Sequence, residues 1–393
     1  MASNTLTQID PFDFLNIDTR LSDEERAIRD VVRAFVHERV EPYVADWFEE
    51  GRSPRELMRE LGTLGVLGMH LDGYGCAGAG ATAYGLACLE LEAGDSGIRS
   101  LVSVQGSLAM FAIHRWGSEE QCQEWLPQMA AGEAIGCFGL TEPDAGSDPG
   151  NMRTRARKDG SDWVLNGQKM WITNGSVADV AIVWAQTDEG ISGFLVPKGT
   201  PGFSAQDITK KLSLRASVTS ELMLNDVRLP KSAQLSKAHS LRGPLSCLNE
   251  ARYGIVWGAV GAARSCFDAA LRYAGERQVF ERPISSYQIQ QQKLAMMAIA
   301  VNRSYLLALH LGRLKDKDIL LPEHVSMGKL SNVNDALDVA RSARQVLGAN
   351  GISLEYPVMR HLVNLESVVT YEGTADIHAL MVGGALTGVQ AFR

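Results

Sequence analysis

The sequence has no Cys-x-x-Cys pair, no Gly-x-Gly-x-x-Gly turn after a strand-like segment, and no apolar run of the roughly 18 residues that a membrane span needs. Each absence closes a class of function. Without paired spacing, the six thiols Cys76, Cys88, Cys122, Cys137, Cys247 and Cys266 read as buried and reduced, which suits a reducing compartment such as the cytoplasm. Without that fingerprint behind a strand, a dinucleotide held in the Rossmann manner is not expected. Cationic surface is also scarce. The 38 Lys and Arg are outnumbered by 46 Asp and Glu, a formal charge of -8, and the short clusters at Lys315 and Lys317 and at Arg153, Arg155 and Arg157 read as solvated faces. A nucleic-acid partner needs concentrated positive charge, so none is expected. His70, His114, His361 and His378 follow no metal-ligand spacing, and no metal is expected. Residues 1–14 are acidic, with neither a basic-then-apolar leader nor an arginine-rich one. The cytoplasm fits best, with a processed mitochondrial matrix form as the alternative.

What is present is an ordinary globular composition, 45% apolar and 21% charged over 393 residues, enough for two or three packed domains. Residues 1–134 read as a helical domain. Ser22 followed by Glu25 matches a capping box, and Ile28, Val31, Val32, Phe35 and Val36 recur on one face beyond it. Further helices are expected from Ser53-Pro54, around residues 84–92, and over 118–125. The period then changes. Over 135–240, short apolar or alternating segments separated by Gly, Asn, Asp and Pro predict an antiparallel β domain. From 241 to 393 the helical period returns, with helices predicted over 252–272, 287–314, 323–347 and 374–390 that can pack as a bundle. The fold class is α+β, because strands and helices are segregated instead of alternating.

Several motifs occur in order along the chain. They are Cys137-Phe138-Gly139-Leu140-Thr141-Glu142-Pro143 with Gly146-Ser147-Asp148, then Asn166-Gly167-Gln168-Lys169-Met170-Trp171-Ile172-Thr173-Asn174-Gly175. Arg277-Gln278-Val279-Phe280, Gln345-Val346-Leu347-Gly348-Ala349-Asn350-Gly351 and Tyr371-Glu372-Gly373-Thr374 follow. Together they resemble the acyl-CoA dehydrogenase family over nearly the whole chain. The resemblance implies an N-terminal helical domain, a middle antiparallel β domain and a C-terminal four-helix bundle. Within the family it runs most strongly to the glutaryl-CoA dehydrogenases, through Asp95-Ser96-Gly97-Ile98-Arg99-Ser100 with Ser103, Lys211-Leu212-Ser213-Leu214-Arg215-Ala216-Ser217, Leu248-Asn249-Glu250-Ala251-Arg252-Tyr253-Gly254 and Asp376-Ile377-His378-Ala379-Leu380.

The resemblance implies FAD. It puts Phe138, Leu140 and Thr141, with Trp171, Ile172 and Thr173, at the isoalloxazine ring, the two threonine hydroxyls near its polar edge and Trp171 against its face. Ser147 is implied at the cofactor and at the pantetheine arm of the substrate, and Thr374 at the cofactor. Arg277, Phe280, Gln288, Gln345, Val346, Leu347, Gly348 and Ala349 are implied to receive the rest of FAD across a subunit interface of a homotetramer. Arg277 offers a planar fork suited to a pyrophosphate, and Gly348 allows close backbone approach. The chain departs from the family at Glu281 and Ala349, where glycines are common; Glu281 is expected to turn outward.

Removing a thioester α proton requires a carboxylate in a dry pocket and donors for the developing enolate. Taken alone, Glu372 reads either as that base or as a helix-start carboxylate satisfied by free N–H groups. The resemblance makes it the base. In relatives that carry the base on an earlier helix, the position is that of Ala251, which takes no proton, and Glu250 is one residue out of register.

For the substrate end, the resemblance puts Arg99 against a distal carboxylate, with Ser100 and Ser103 beside it and Glu92 orienting it. Asn249, Arg252 and Tyr253 are implied to wall the acyl-pantetheine arm, and Gly373 to offer its N–H to the thioester oxygen. Tyr371 matches decarboxylating relatives. The implied reaction is oxidation and decarboxylation of glutaryl-CoA to crotonyl-CoA and carbon dioxide, with electrons passed to an electron-transfer flavoprotein. The alternative is a dehydrogenase for short-chain or other dicarboxylic acyl-CoA that stops before decarboxylation.

Overall fold

In the computed structural model, which describes residues 9–392, both serine-led helix starts form as their spacing requires. Ser22 Oγ accepts from Glu25 N at 3.2 Å and Glu25 Oε2 accepts from Ser22 N at 2.8 Å, opening helix α1, Asp23–Arg39. Val32, Phe35 and Val36 are buried and Ile28 packs against them, but Val31 is exposed because it falls outside that stripe. Helices α2, Val44–Glu50, and α3, Leu57–Thr63, follow. The helix expected from Ser53-Pro54 starts later, since both residues lie in the connection between α2 and α3. Most of the acidic start, residues 1–8, lies outside the described residues.

Helix α4, Ala81–Gly94, is buried along almost its whole length, packed between α1 and the long C-terminal helix described below. Asp95 breaks it, and α5, Ser96–Ser103, continues through a π-helical stretch, Val104–Met110, into α6, Phe111–Trp116. Ser118 caps α7, Glu119–Ala130, with Gln121 completing the box.

Seven strands form one sheet: β1 Gly136–Gly139, β2 Arg155–Asp159, β3 Asp162–Thr173, β4 Val180–Thr187, β5 Gly190–Pro197, β6 Phe203–Asp207 and β7 Thr219–Pro230. The sheet is mixed, which corrects the antiparallel expectation. β1 runs parallel to β4, Gly136 opposite Val180 through Gly139 opposite Val183, and β2 meets the same strand in parallel at Arg155 and Gln186. Hairpin turns announce antiparallel pairs, whereas a strand whose partner lies far along the chain leaves no local signal. β4 is apolar throughout because it feeds two cores. Val180, Ile182 and Trp184 join the helical side, while Ala181, Val183 and Ala185 join the core on the other face.

The remaining chain is helical except for a short hairpin. The elements are α8 Arg242–Glu276, β8 Gln278–Val279, β9 Arg282–Pro283, α9 Gln288–Lys315, α10 Pro322–Leu347, α11 Pro357–Val368 and α12 Ala375–Thr387. α10 packs on α8, α9, α11 and α12. α11 was not among the expected helices. By length and composition α9 could cross a membrane, with a mean hydropathy of 1.4 over its most apolar window. It packs instead on α8 and α10, burying Met297, Val301, Tyr305 and Ala308.

α8 approaches the backbone of α4 tightly at Gly261, where a Cβ would fall 1.9 Å from Leu89 O. Gly261→Ala gains about 1 kcal/mol of helix propensity. It also forces two backbones apart, an overpacking cost of about 1–3 kcal/mol. The expected outcome of Gly261→Ala in a thermal melt is a lowered midpoint; a raised one would show that α4 and α8 can separate freely.

Candidate active site

Glu372 lies in the turn between α11 and α12, and α12 does not use it as a cap. Thr374 Oγ1 takes that role, accepting from Ile377 N at 3.3 Å. Glu372 Oε2 is buried without a hydrogen-bond partner. That settles the two local readings of this residue against the helix-start carboxylate. Burial pushes the carboxyl above its ordinary range, with Glu92 adding to the shift, and Arg99, Lys329 and Arg252 pull the other way.

The turn's neighbours come from four helices. Glu92, near the end of α4, accepts from Arg99 Nε at 2.7 Å and from Ser96 Oγ at 2.8 Å. This pair spans the break at Asp95, whose extended backbone separates α4 from α5. Asp95 holds that break by accepting from Gly97 N at 2.6 Å, from Asn364 Nδ2 at 2.9 Å and from Arg360, so the two N-terminal helices are tied to α11, which leads to the base. Arg99 also donates through Nη2 to the Tyr371 hydroxyl, which lies 3.4 Å from Ser100 Oγ. Arg99 is 1% exposed, and its Nη1 and the Ser103 hydroxyl are buried without partners. A buried guanidinium nitrogen with no acceptor is costly, so the arrangement is suited to an incoming acceptor. Gly258 of α8 makes room for the pair, since a Cβ there would stand 1.9 Å from Glu92 Oε2.

Arg252 lies against the turn that carries Glu372. Its Nε donates to Glu372 O at 2.6 Å and its Nη1 to Asn249 Oδ1 at 3.1 Å. Tyr253 needs correction as a substrate-wall residue. Its ring is fully buried and its hydroxyl donates to Ala81 O at 2.8 Å, which leaves it a packing role. Glu250 is held 2.8 Å from Lys315 Nζ, consistent with its exclusion as a base. Lys329 was missed in the sequence: its Nζ donates to Tyr371 O and, at 2.7 Å, to Gly373 O. The signal was there, a lysine on the buried stripe of α10 with Val325, Ser326, Asn332, Val333 and Ala336.

The residues expected at the flavin ring gather elsewhere on the chain. A register irregularity in β3 between Lys169 and Ile172 lets Met170 N donate to Thr141 O at 2.9 Å, and turns Trp171 outward at φ 63, 55% exposed. Thr141 and Thr173 are half-buried, and Ser147 is exposed. Phe138 and Leu140 bury their side chains in one hydrophobic core and Ile172 in another. A buried ion pair that sequence reasoning passed over fixes this region. Lys169 Nζ lies 2.7 Å from Glu142 Oε1 and donates to Leu140 O at 3.0 Å.

An open groove of about 730 Å³ is lined by Tyr273, Arg277, Val279, Ile284, Gln290 and residues 346–350. Arg277, Val346, Leu347, Gly348 and Ala349 therefore come together as expected, with Gln345 exposed beside them. Phe280, 88% exposed, sits on the β8–β9 turn and Gln288 opens α9 next to it. Arg277 has no ion pair among the described residues, and Gly348, at φ 59, has open space where a Cβ would be. A free guanidinium, an unobstructed backbone and exposed aromatic rings at Phe280 and Trp171 fit a group with an anionic linker and a flat ring. The Glu281 departure carries a backbone cost that glycine would avoid. Phe280 and Glu281 both have positive φ, 49 and 63, as a two-residue hairpin demands, and Glu281 points outward. Ala349 does not have positive φ, so alanine costs nothing there.

Comparisons with known proteins agree with this geometry. Family models match for the acyl-CoA dehydrogenase N-terminal domain over residues 22–133, the middle domain over 137–227 and the C-terminal domain over 242–387. The chain belongs to the acyl-CoA dehydrogenase family. Glutaryl-CoA dehydrogenase from Mycobacterium smegmatis is similar at 65% identity and TM-score 0.97, covering 98% of this chain and 100% of that one. A structure of a glutaryl-CoA dehydrogenase from the same organism in complex with FADH2 is similar at 61% identity and TM-score 0.97, with the same coverage. The mitochondrial short-chain specific acyl-CoA dehydrogenase of Bos taurus is 35% identical over 373 residues, 93% of this chain and 90% of that protein. Family membership makes the chain an FAD-dependent oxidoreductase.

Because an acyl-CoA dehydrogenase base works as its carboxylate, kcat/KM should fall as pH drops through the Glu372 pKa. Burial places that midpoint above the ordinary value of 4.5. The check is the pH profile of anaerobic flavin bleaching by an acyl-CoA. An acid limb centred at or below the ordinary value would remove the argument from burial.

Proposed function

We propose that this enzyme oxidises and decarboxylates glutaryl-CoA to crotonyl-CoA and carbon dioxide, handing its electrons to an electron-transfer flavoprotein. The observation that carries the substrate assignment is the buried, unpartnered Arg99 Nη1; the Ser103 hydroxyl, one turn further along α5, is unpartnered as well. A saturated acyl chain gives neither group an acceptor, while a distal carboxylate serves both. The similarity to glutaryl-CoA dehydrogenases supports the same choice.

In this reading Glu372 removes the α proton, its basicity strengthened by burial. Bound FAD, with Arg277 and the Gly348 loop at its pyrophosphate and Trp171 and Thr173 at its ring, supplies the acceptor for the β hydride. Arg99 keeps the distal carboxylate of the enoyl product in place. When the bond to that carboxylate breaks, carbon dioxide leaves and its electron pair is delocalised into the thioester as a dienolate. The neutral acid form of Glu372 then returns a proton to the γ carbon, giving crotonyl-CoA. Tyr371, hydrogen-bonded to Arg99, borders the same space. A homotetramer, in which one subunit's groove meets another's ring site, belongs to the proposal. It is supported by the exposed apolar side chains of Phe280, Ile289, Met296 and Ile299 near the groove. The cytoplasm is the proposed location, in keeping with six free cysteines.

The second reading, oxidation of a short acyl-CoA without decarboxylation, is favoured by the likeness to the short-chain enzyme. Products separate the two: crotonyl-CoA with carbon dioxide supports the proposal, and accumulated glutaconyl-CoA the alternative. Arg99→Ala should lower kcat/KM for glutaryl-CoA by about 100-fold, the scale of losing a charge-assisted pair worth about 2–3 kcal/mol. Butyryl-CoA should lose far less, and equal losses for both would overturn the pocket assignment.

A further inference from the structure

Tyr371, Glu372 and Gly373 present three successive carbonyls to buried cations. Lys329 Nζ, from the middle of α10, binds the first and third, and Arg252 Nε binds the second. Lys329 is 1% exposed, so its ammonium has left water to make these contacts, and burial pushes its pKa down to about 7 against the pull of Glu372. A trans peptide points its C=O and N–H in opposite directions. Holding Tyr371 O on Lys329 therefore aims the Glu372 N–H away from the cation, and holding Glu372 O on Arg252 does the same for the Gly373 N–H. Neither N–H has an acceptor among the described residues. Glu372 is at φ 53, a left-handed conformation that costs a non-glycine residue roughly 1–2 kcal/mol and needs support from its surroundings. Gly373 follows at φ 100, where a Cβ would lie 2.8 Å from His378 Nε2.

The geometry points to Lys329 as a positioning residue for the proton-transfer step: by pinning the carbonyls on both sides of Glu372, it holds the base in its left-handed turn and aims the Glu372 N–H at the thioester oxygen. This rests on Glu372 as the base and not on the choice of acyl group. The charge of Lys329 also bears on the carboxylate. Glu372 is faced by Lys329 from α10, Arg99 from α5, Arg252 from α8 and Glu92 from α4, with the Tyr371 hydroxyl beside Arg99 and His378 of α12 behind the turn. His378 is kept neutral by burial and by the same cations. Removing Lys329 takes away one of three positive charges and leaves the Glu92 repulsion in place.

The test is to compare Lys329→Met and Lys329→Gln with the parent enzyme, measuring flavin content, thermal stability and anaerobic bleaching by glutaryl-CoA and by butyryl-CoA across pH. Both variants should retain flavin and lose about 100-fold in limiting rate, the scale of a misaligned oxyanion donor, with KM nearly unchanged. The loss should be the same factor for both acyl-CoA substrates, and the acid limb should move to higher pH. A limiting rate close to the parent's overturns the proposal. So does a loss that merely follows missing flavin or unfolded protein with the acid limb in place, and so does failure of both variants to fold, since each assigns the ammonium to structure alone. A loss confined to glutaryl-CoA would move Lys329 to the distal carboxylate. If the parent enzyme bleaches with butyryl-CoA and not with glutaryl-CoA, the substrate assignment fails, and the Lys329 comparison is decided on butyryl-CoA.

Discussion

Five ionisable side chains share one desolvated space in this protein, and their mutual dependence organises the rest. Arg99, Arg252 and Lys329 stand against Glu92 and Glu372, so with every group ionised one positive charge is in excess. Buried charge is tolerated only when paired or hydrogen-bonded. Glu92 and Arg99 satisfy one another. Arg252 and Lys329 are satisfied by the carbonyls of the turn that carries the base. Glu372 Oε2 and Arg99 Nη1 are left over, one an acceptor and the other a donor. Those two leftovers are what the proposed substrate would meet, its acidic C–H at one and its distal carboxylate at the other.

The fold puts this cluster where no single element could. Glu92 and Arg99 are separated by the break at Asp95, and the break is locked to α11 by Arg360 and Asn364. The same helix ends at the turn bearing Glu372, so the segment carrying Arg99 and the turn are tied to one element. Close packing around them relies on small residues of α8. Gly254 lies against Tyr84 and Cys88, Gly258 against Glu92, and Gly261 against the backbone of α4. A side chain at any of these positions would displace the cluster before it disturbed the surface.

Much of this was legible in the sequence where chemistry and spacing are local. The Ser22–Glu25 capping box and the return of the helical period after residue 241 are of that kind, while the nearness of Glu92 to Arg99 was implied by the family resemblance. The parallel pairing of β1 was not, because its partner strand lies about forty residues on and no turn residue advertises it. Tyr253 was misread because a motif position does not say whether a hydroxyl is already satisfied; here Ala81 O takes it. Phe138, Leu140 and Ile172 show the same limit, since their motifs fix where the backbone runs and not which way the side chains turn. Lys329 escaped notice because its partners are main-chain carbonyls more than forty residues away, and carbonyls carry no sequence signature.

The central claim is that the buried Glu372 carboxylate takes a proton from the carbon next to a thioester. It is tested most directly with acetyl-CoA, which has an α carbon and no β hydrogen, so that proton removal is isolated from hydride transfer. In deuterium oxide the enzyme should exchange the acetyl hydrogens well above background, and Glu372→Gln, with its flavin retained, should not. Exchange at the parent rate in the Glu372→Gln protein would contradict the account.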